Sequence, residues 1–383
     1  MQVPDILRVI YAPHKAFKEI AEKPTYMGPL LIAVLFVAAN VGFAYVGMSK
    51  TYVDQTLPNG QNQDEWTENS TLWASNAIIT TSDDSINGTY FGNRSVSFSM
   101  TNSSQVWLQL TDIGSINCSS QGGYNTLFFR LKQTGPPEKP QNATLYLFSI
   151  SPSDYFYYNF TQIFSNFTYN VWNNLTVPLV SGWSGSGPNA DWGNITGLKL
   201  DFAWLDNSNV TILVDGLFFH GIFKSLLESA GSSYLLNFAL SAAMQFVITW
   251  VILGGVLYLL SKTLGAKLVW RLLLIVVGFI LVTMFVQALV NMIAYSTLPD
   301  VKYPLDLIGG VHGEGQAAYD LILEQTGVVT LIGRVTQIAI YVWTIALCGV
   351  GVRLLGELSW TKSFLAAVVA YLATLFVGSF LFG

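Results

Sequence analysis

The chain has 383 residues, 11% of them charged, and a mean hydropathy of +0.45, whereas soluble domains carry about 25% charged residues. Its net charge of −5 excludes the broad basic field with which nucleic-acid binders neutralise phosphates, so nucleic acid is set aside as a partner. The apolar residues are gathered into blocks long enough to cross a bilayer, and a lipid bilayer is the first expected partner.

In chain order, residues 1–28 come first. The stretch VPDILRVIYAPHKAFKEIAEKP sets Ile6, Leu7, Ile10 and Tyr11, then Phe17 and Ile20, on apolar faces, with Lys15, Lys18 and Lys23 beside them. Short amphipathic helices lying on the inner membrane surface satisfy that pattern. The first apolar block, residues 29–48, is a full span and too long for the h-region of a signal peptide, so it is expected to remain as an anchor.

Residues 49–233 form a polar, Asn-rich segment. Between Trp66 and Gly221 it reads as short β runs: VSFSM, VWLQL, TLFFRL, ATLYLFSI, YFYYNF, LTVPLV, LKLDFAW and VTILVDGLFF, separated by turn clusters such as QTGPPEKPQ and SGWSGSGPNA. Eight or so closely spaced runs with alternating apolar residues predict an antiparallel sandwich. Trp107 and Trp204, inside strand runs, are expected in the core. Trp172, Trp183 and Trp192 are the further tryptophans of these runs and loops. Trp183 and Trp192, in a Gly/Ser-rich loop with Asp191, are either exposed ligand contacts or loop anchors. Asp191, Asp201, Asp206 and Asp215 lack calcium-loop spacing and are read as turn and strand-end residues.

Further apolar blocks follow at about 234–260, 272–295, 328–352 and 364–382, which makes five spans. The cations Arg8, Lys15, Lys18 and Lys23, then Lys262, Lys267 and Arg271, then Arg353 and Lys362 all fall on one side, so the N-terminus is expected in the cytoplasm and the C-terminus outside. The sequons agree. Asn69, Asn87, Asn93, Asn102, Asn117, Asn142, Asn159, Asn166, Asn174, Asn194 and Asn209 all lie in the segment that the cations place outside. The 19 Asn of that segment would yield roughly four sequons by chance. Glycosylation at several of the eleven is therefore expected, on an archaeal or eukaryotic cell surface.

Within the spans, Ala239 and Ala243, Gly254 and Gly255, and Ala366, Ala370 and Thr374 are read as packing positions. Asn237, Gln245, Gln287, Asn291, Arg334 and Gln337 are the polar candidates for a solute path, with Arg334 expected to snorkel or to pair with Asp320 or Glu324. His312 and Glu314 in GGVHGEGQ lack the third and fourth ligands of a zinc site, and no metal site is expected from them. Cys118 and Cys348 fall in different compartments, so no intrachain disulfide is expected. No phosphate-binding loop or nucleophile–base pattern appears.

Two resemblances sharpen this reading. Residues 1–50, with Pro13, Phe17, Ile20 and Pro24 before the first span, and WTIALCGVGVRLLGELSWTKSFLAAVVAYL near the end are similar to the Yip-domain family of five-span membrane proteins. That family's eukaryotic members act in vesicle traffic and bind small GTPases. The β segment resembles jelly-roll carbohydrate-binding modules in its Gly92–Ser95 turn, WNNLTVPL, WGNITGLKLDF and ILVDGLFF stretches; this resemblance implies sugar binding through exposed aromatics and a structural calcium ion. The expected architecture is a mixed membrane protein, with a five-helix transmembrane bundle and an extracellular all-β, jelly-roll-like sandwich inserted between spans one and two. The expected function is that of a non-catalytic surface protein binding glycan or a partner protein, its bundle anchoring or forming a homo-oligomer. The alternatives are a small-solute or ion transporter through the bundle and a membrane-tethered glycan-active enzyme.

Overall fold

A computed structural model describes residues 3–59 and 64–382. The chain divides into two compact units: Met1–Thr51, Ser225–Val301 and Leu323–Gly383 form one, and Tyr52–Lys224 and Lys302–Ile322 the other.

The first unit is helical. Its helices are α1 (Val3–Tyr11), α2 (Pro13–Glu22), α3 (Met27–Lys50), α4 (Leu226–Thr263), α5 (Trp270–Ile280), α6 (Val282–Ser296), α7 (Gln316–Gly356, whose first turns belong to the other unit) and α8 (Trp360–Phe382). Among the described residues, five helical stretches are long and apolar enough to cross a membrane: Met27–Lys50, Ser233–Thr263, Trp270–Ser296, Gln316–Gly356 and Trp360–Leu381. The Ser225 hydroxyl caps α4 by accepting the Glu228 amide at 3.2 Å, satisfying one of the free N–H groups of the first turn. Gly231, at φ 67°, breaks α4 one and a half turns later, a conformation that glycine adopts without steric cost.

Packing in this unit follows small residues. Ala366, Ala370 and Thr374 form a buried stripe on α8, which packs against α4. A Cβ on Gly28 would fall 2.0 Å from the Phe279 ring, so α3 approaches α5 as closely as it does only because that position is bare. In the amphipathic segment the apolar residues divide, with Leu7 and Tyr11 exposed. Ile6, Val9, Ala16, Phe17 and Ile20 are buried in the same core cluster as Leu273, Val276 and Val352, so α1 and α2 pack part of their apolar faces onto the bundle.

The second unit is an antiparallel β-structure of eleven strands among the described residues: β1 (Thr51–Leu57), β2 (Trp73–Ser75), β3 (Ile78–Ser82), β4 (Ser95–Ile116), β5 (Thr126–Gly135), β6 (Asn142–Ser149), β7 (Ser151–Asn159), β8 (Asn173–Pro178), β9 (Ser184–Ser186), β10 (Ile195–Ser225) and β11 (Val301–Tyr303). β4 and β10 are long enough to serve two layers. In one, the order β2-β4-β10-β6-β7-β9 is set by pairings such as Asp201↔Trp107, Lys199↔Tyr146 and Tyr146↔Tyr157. In the other, β3-β4-β10-β5-β8 is set by Ile212↔Phe98, Phe218↔Phe128 and Phe129↔Leu175.

One core fills the space between the layers. Val106, Leu108 and Leu110 of β4, Leu198, Leu200 and Phe202 of β10, Leu145 and Leu147 of β6, and Phe98, Phe129 and Val214 from the second layer are all buried in it. Each fully buried side chain of this size contributes about 1.5–3 kcal/mol. Trp204 is buried here, with its indole donating to the Glu138 carbonyl at 2.9 Å. Lys302–Ile322, between the third and fourth apolar blocks, also belongs to this unit: Leu305 packs with Phe128 and Phe218, and Glu314 reaches Arg130.

Candidate functional site

The alternation that buries every second residue of the first layer also turns the intervening ones outward. On β4 these are Gln105, Trp107 and Gln109. On β10 they are Lys199, Asp201 and Ala203, on β6 Tyr146 and Phe148, and on β7 Tyr155 and Tyr157. Gln109, Lys199, Tyr146 and Tyr157 stand in one row across four strands. At about 4.8 Å per strand the row is about 14 Å long. Trp107 lies on this outer face and is half-buried, in contrast to the core position expected of it: with Val106 and Leu108 inward, a residue between them must point out.

The face is held together by its own contacts. Lys199 Nζ lies 5.5 Å from the Trp107 ring centre and 5.6 Å from that of Tyr146, and donates to Asp201 Oδ2 at 3.1 Å. Asp201 Oδ1 in turn accepts from Gln105 Nε2 at 2.8 Å. Tyr146 contacts Tyr155 edge-on at 5.6 Å and Tyr157 at 6.4 Å. Burial pushes the Tyr146 phenol above its ordinary range, with Asp201, Tyr155 and Tyr157 adding to the rise, so its hydroxyl stays a donor at neutral pH. A cleft of about 340 Å³ adjoins this face; its lining includes Gln109, Asp112, Phe148 and Gly197. The arrangement offers flat aromatic surfaces interleaved with fixed donors and acceptors.

The residues singled out from the sequence lie elsewhere. Trp192 stacks on Phe156 at 4.1 Å, Trp183 meets Trp192 edge-on at 5.4 Å, and the Trp183 indole donates to the Pro178 carbonyl at 2.9 Å. Asp191 Oδ1 accepts the Gly193 amide at 2.8 Å. These contacts anchor the loop against the core. Trp172 donates to Asp84 Oδ1 at 3.1 Å. Of the sequon asparagines, Asn69, Asn87, Asn93, Asn102, Asn117, Asn142, Asn159, Asn166, Asn174 and Asn209 are exposed and Asn194 is half-buried.

A buried polar network that sequence reasoning missed joins residues far apart in the chain. Arg130, 1% exposed, lies between the Phe91 and Phe128 rings, at 4.4 and 4.7 Å from their centres. It donates to Glu314 Oε2 at 2.6 Å and Asn174 Oδ1 at 3.0 Å. Asp215 accepts the amides of Ile86 and Gly216 at 2.7 and 2.8 Å, and Asp64 accepts that of Gly92 at 2.9 Å. Burial pushes Asp215 up to about 7 and Asp64 up to about 6, against the downward pull of those amides and of Arg130. Gly216, at φ 58°, has no room for a side chain: a Cβ would stand 2.4 Å from Phe91 and 2.9 Å from Arg130.

A structural calcium, implied by the module resemblance, finds no fit in these acids, because their oxygens already face N–H donors. Among the described residues no group of three or more His, Cys, Asp or Glu could hold a metal ion. His312 is exposed, and both cysteines are free and buried. In the helical unit Arg334 is exposed and takes part in none of the ion pairs found among the described residues, Asn291 Oδ1 is buried without a partner, and Gln287 and Gln337 line a common cavity.

No family model matches the chain and no curated protein matches it, so the Yip resemblance rests on the quoted segments alone. Among solved structures, the chain is similar to a carbohydrate-binding module studied for promiscuous specificity in the β-sandwich superfamily (13% identity, TM-score 0.28, 40% of this chain and 60% of that one). It is also similar to the family 11 carbohydrate-binding module from Clostridium thermocellum, solved with a β-1,3-1,4-mixed-linked tetrasaccharide (15%, 0.29, 43% and 94%). A third is the family 30 carbohydrate-binding module of a cellulosomal cellulase of Clostridium thermocellum (14%, 0.27, 40% and 91%). At these values the likeness says nothing of function.

Proposed function

We propose that the chain is a non-catalytic, multi-pass membrane protein whose β unit stands on the outer side and binds an oligosaccharide across the face formed by Trp107, Tyr146, Tyr155 and Tyr157. The observation that carries this reading is the row Gln109–Lys199–Tyr146–Tyr157 with Trp107 beside it: rings for stacking against the flat faces of sugar rings, and polar groups pre-positioned for hydroxyls. A row about 14 Å long suits an oligosaccharide better than a single sugar. Asp201 is occupied by Lys199 and Gln105, which supports binding over acid–base chemistry.

The length and composition of the five helices support membrane anchoring, and the one-sided cations with the exposed sequons support the outward placement of the β unit. Affinity electrophoresis of the full-length protein through gels containing mixed-linkage β-glucan, galactan or xylan tests the reading. At least one polymer should retard it, and Trp107→Ala or Tyr146→Ala should each weaken retardation by roughly 2- to 10-fold, since loss of one aromatic contact costs about 0.5–1.5 kcal/mol. Variants retarded as strongly as the wild type would move the site off this face.

A further inference from the structure

The helical unit contains a cavity of about 600 Å³ between α4, α6, α7 and α8. Beside apolar residues such as Met284 and Leu375, its lining holds Gln245, Thr249, Gln287, Gln337, Tyr341 and Tyr371, and among the described residues no Asp, Glu, Lys, Arg or His lines it. Gln337 Nε2 donates to the Tyr341 hydroxyl at 2.5 Å, while Gln245 and Gln287 make none of the hydrogen bonds found among the described residues. Amide groups at membrane depth without partners are costly, and a bundle keeps them where a ligand or water satisfies them. Carboxamides and hydroxyls both donate and accept, as the hydroxyls of a polyol do. A charged ligand would find no counter-charge in this lining. The Tyr341–Tyr371 edge contact at 5.6 Å gives the same cavity an aromatic wall.

We infer that this cavity is a binding site for a neutral, polyhydroxylated group, either the sugar headgroup of a membrane lipid or a free sugar, held by Gln245, Gln287, Gln337 and Tyr341. The inference uses the membrane reading of the helices and is independent of glycan binding by the β unit.

The test is native mass spectrometry of the full-length protein released, without glycosidic detergent, from phosphatidylcholine nanodiscs doped with a monoglucosyl diacylglycerol. Maltose without the glycolipid forms a second arm. Wild-type protein should retain the glycolipid, or the maltose, about tenfold over its share in the mixture. The double variant Gln287→Leu/Gln337→Leu should lose that enrichment, with Tyr341→Phe as a milder variant that keeps the packing. Enrichment of glycolipid alone assigns a lipid headgroup, and enrichment of maltose a soluble sugar. Neither enriched, phosphatidylcholine retained equally, or variants behaving as wild type would each overturn the site. Failure of the chain to enter nanodiscs would instead overturn the membrane reading on which the site rests.

Discussion

Single residues decide what the β unit can do. Trp107, Tyr146 and Tyr157 point outward because their neighbours Val106, Leu108, Leu145, Leu147 and Phe156 point inward. The same alternation was readable in VWLQL, ATLYLFSI and YFYYNF, and following it one residue at a time would have placed Trp107 on the face. Trp183 and Trp192 were drawn to attention by a Gly/Ser-rich loop, but the loop closes over the core and both rings pack. At this scale Asp64 and Asp215 set a pH dependence. Their raised values mean that the folded unit holds protons the unfolded chain has released. The stability they contribute is fully present below about pH 4 and is lost as pH rises through about 6 to 7. Thermal unfolding of the β unit, followed by near-ultraviolet circular dichroism, should show a midpoint that falls from pH 5 to pH 8. Asp215→Asn should flatten that fall, and an unchanged slope would assign it to other groups.

At the scale of elements, the strands were legible and their connections were not. VSFSM and VWLQL read as two strands and form the two halves of β4; LKLDFAW and VTILVDGLFF likewise share β10, joined through irregular register between Ala203 and Val210. The polar LDNSN between them looks like a turn, and only the paired neighbour shows that the strand continues through it. The docking of residues 302–322 was equally hidden, since it depends on Arg130 and Glu314 meeting across 184 positions. Arg130 is buried and cannot recover water when its partner is lost. Glu314→Gln should therefore cost about 2–3 kcal/mol, below the 3–5 kcal/mol typical of a fully buried pair because Glu314 remains partly exposed. Amide hydrogen exchange should quicken in residues 302–315. Exchange unchanged there would show that Leu305 and its apolar neighbours hold the segment unaided. In the core, Phe202→Ala should cost about 3–5 kcal/mol, read from the denaturation midpoint.

For the whole molecule, four of the five hydropathy blocks end within about four residues of a long helix, because a span must satisfy its backbone internally and be apolar over about 20 positions, whereas the fourth helix, Gln316–Gly356, starts well before its block at 328 because its first turns, which include Asp320, are too polar for the apolar window. The polar face and the polar cavity were less visible, since each is assembled from residues on several elements and neither has a local motif. The outward placement of the β unit predicts that thiol labelling of an introduced Asn87→Cys in intact cells succeeds with a membrane-impermeant reagent, while Lys18→Cys is protected until the cells are opened. The reverse pattern would place the β unit inside.

Sugar binding by the aromatic row of the β unit is the proposal on which the other readings of this unit depend. A glycan array probed with the full-length protein in nanodiscs, beside a Trp107→Ala/Tyr157→Ala variant of unchanged circular dichroism, tests it most directly. Binding should be confined to a group of related oligosaccharides and be abolished in the variant; no glycan bound, or equal binding by both proteins, would rule the surface out as a sugar site.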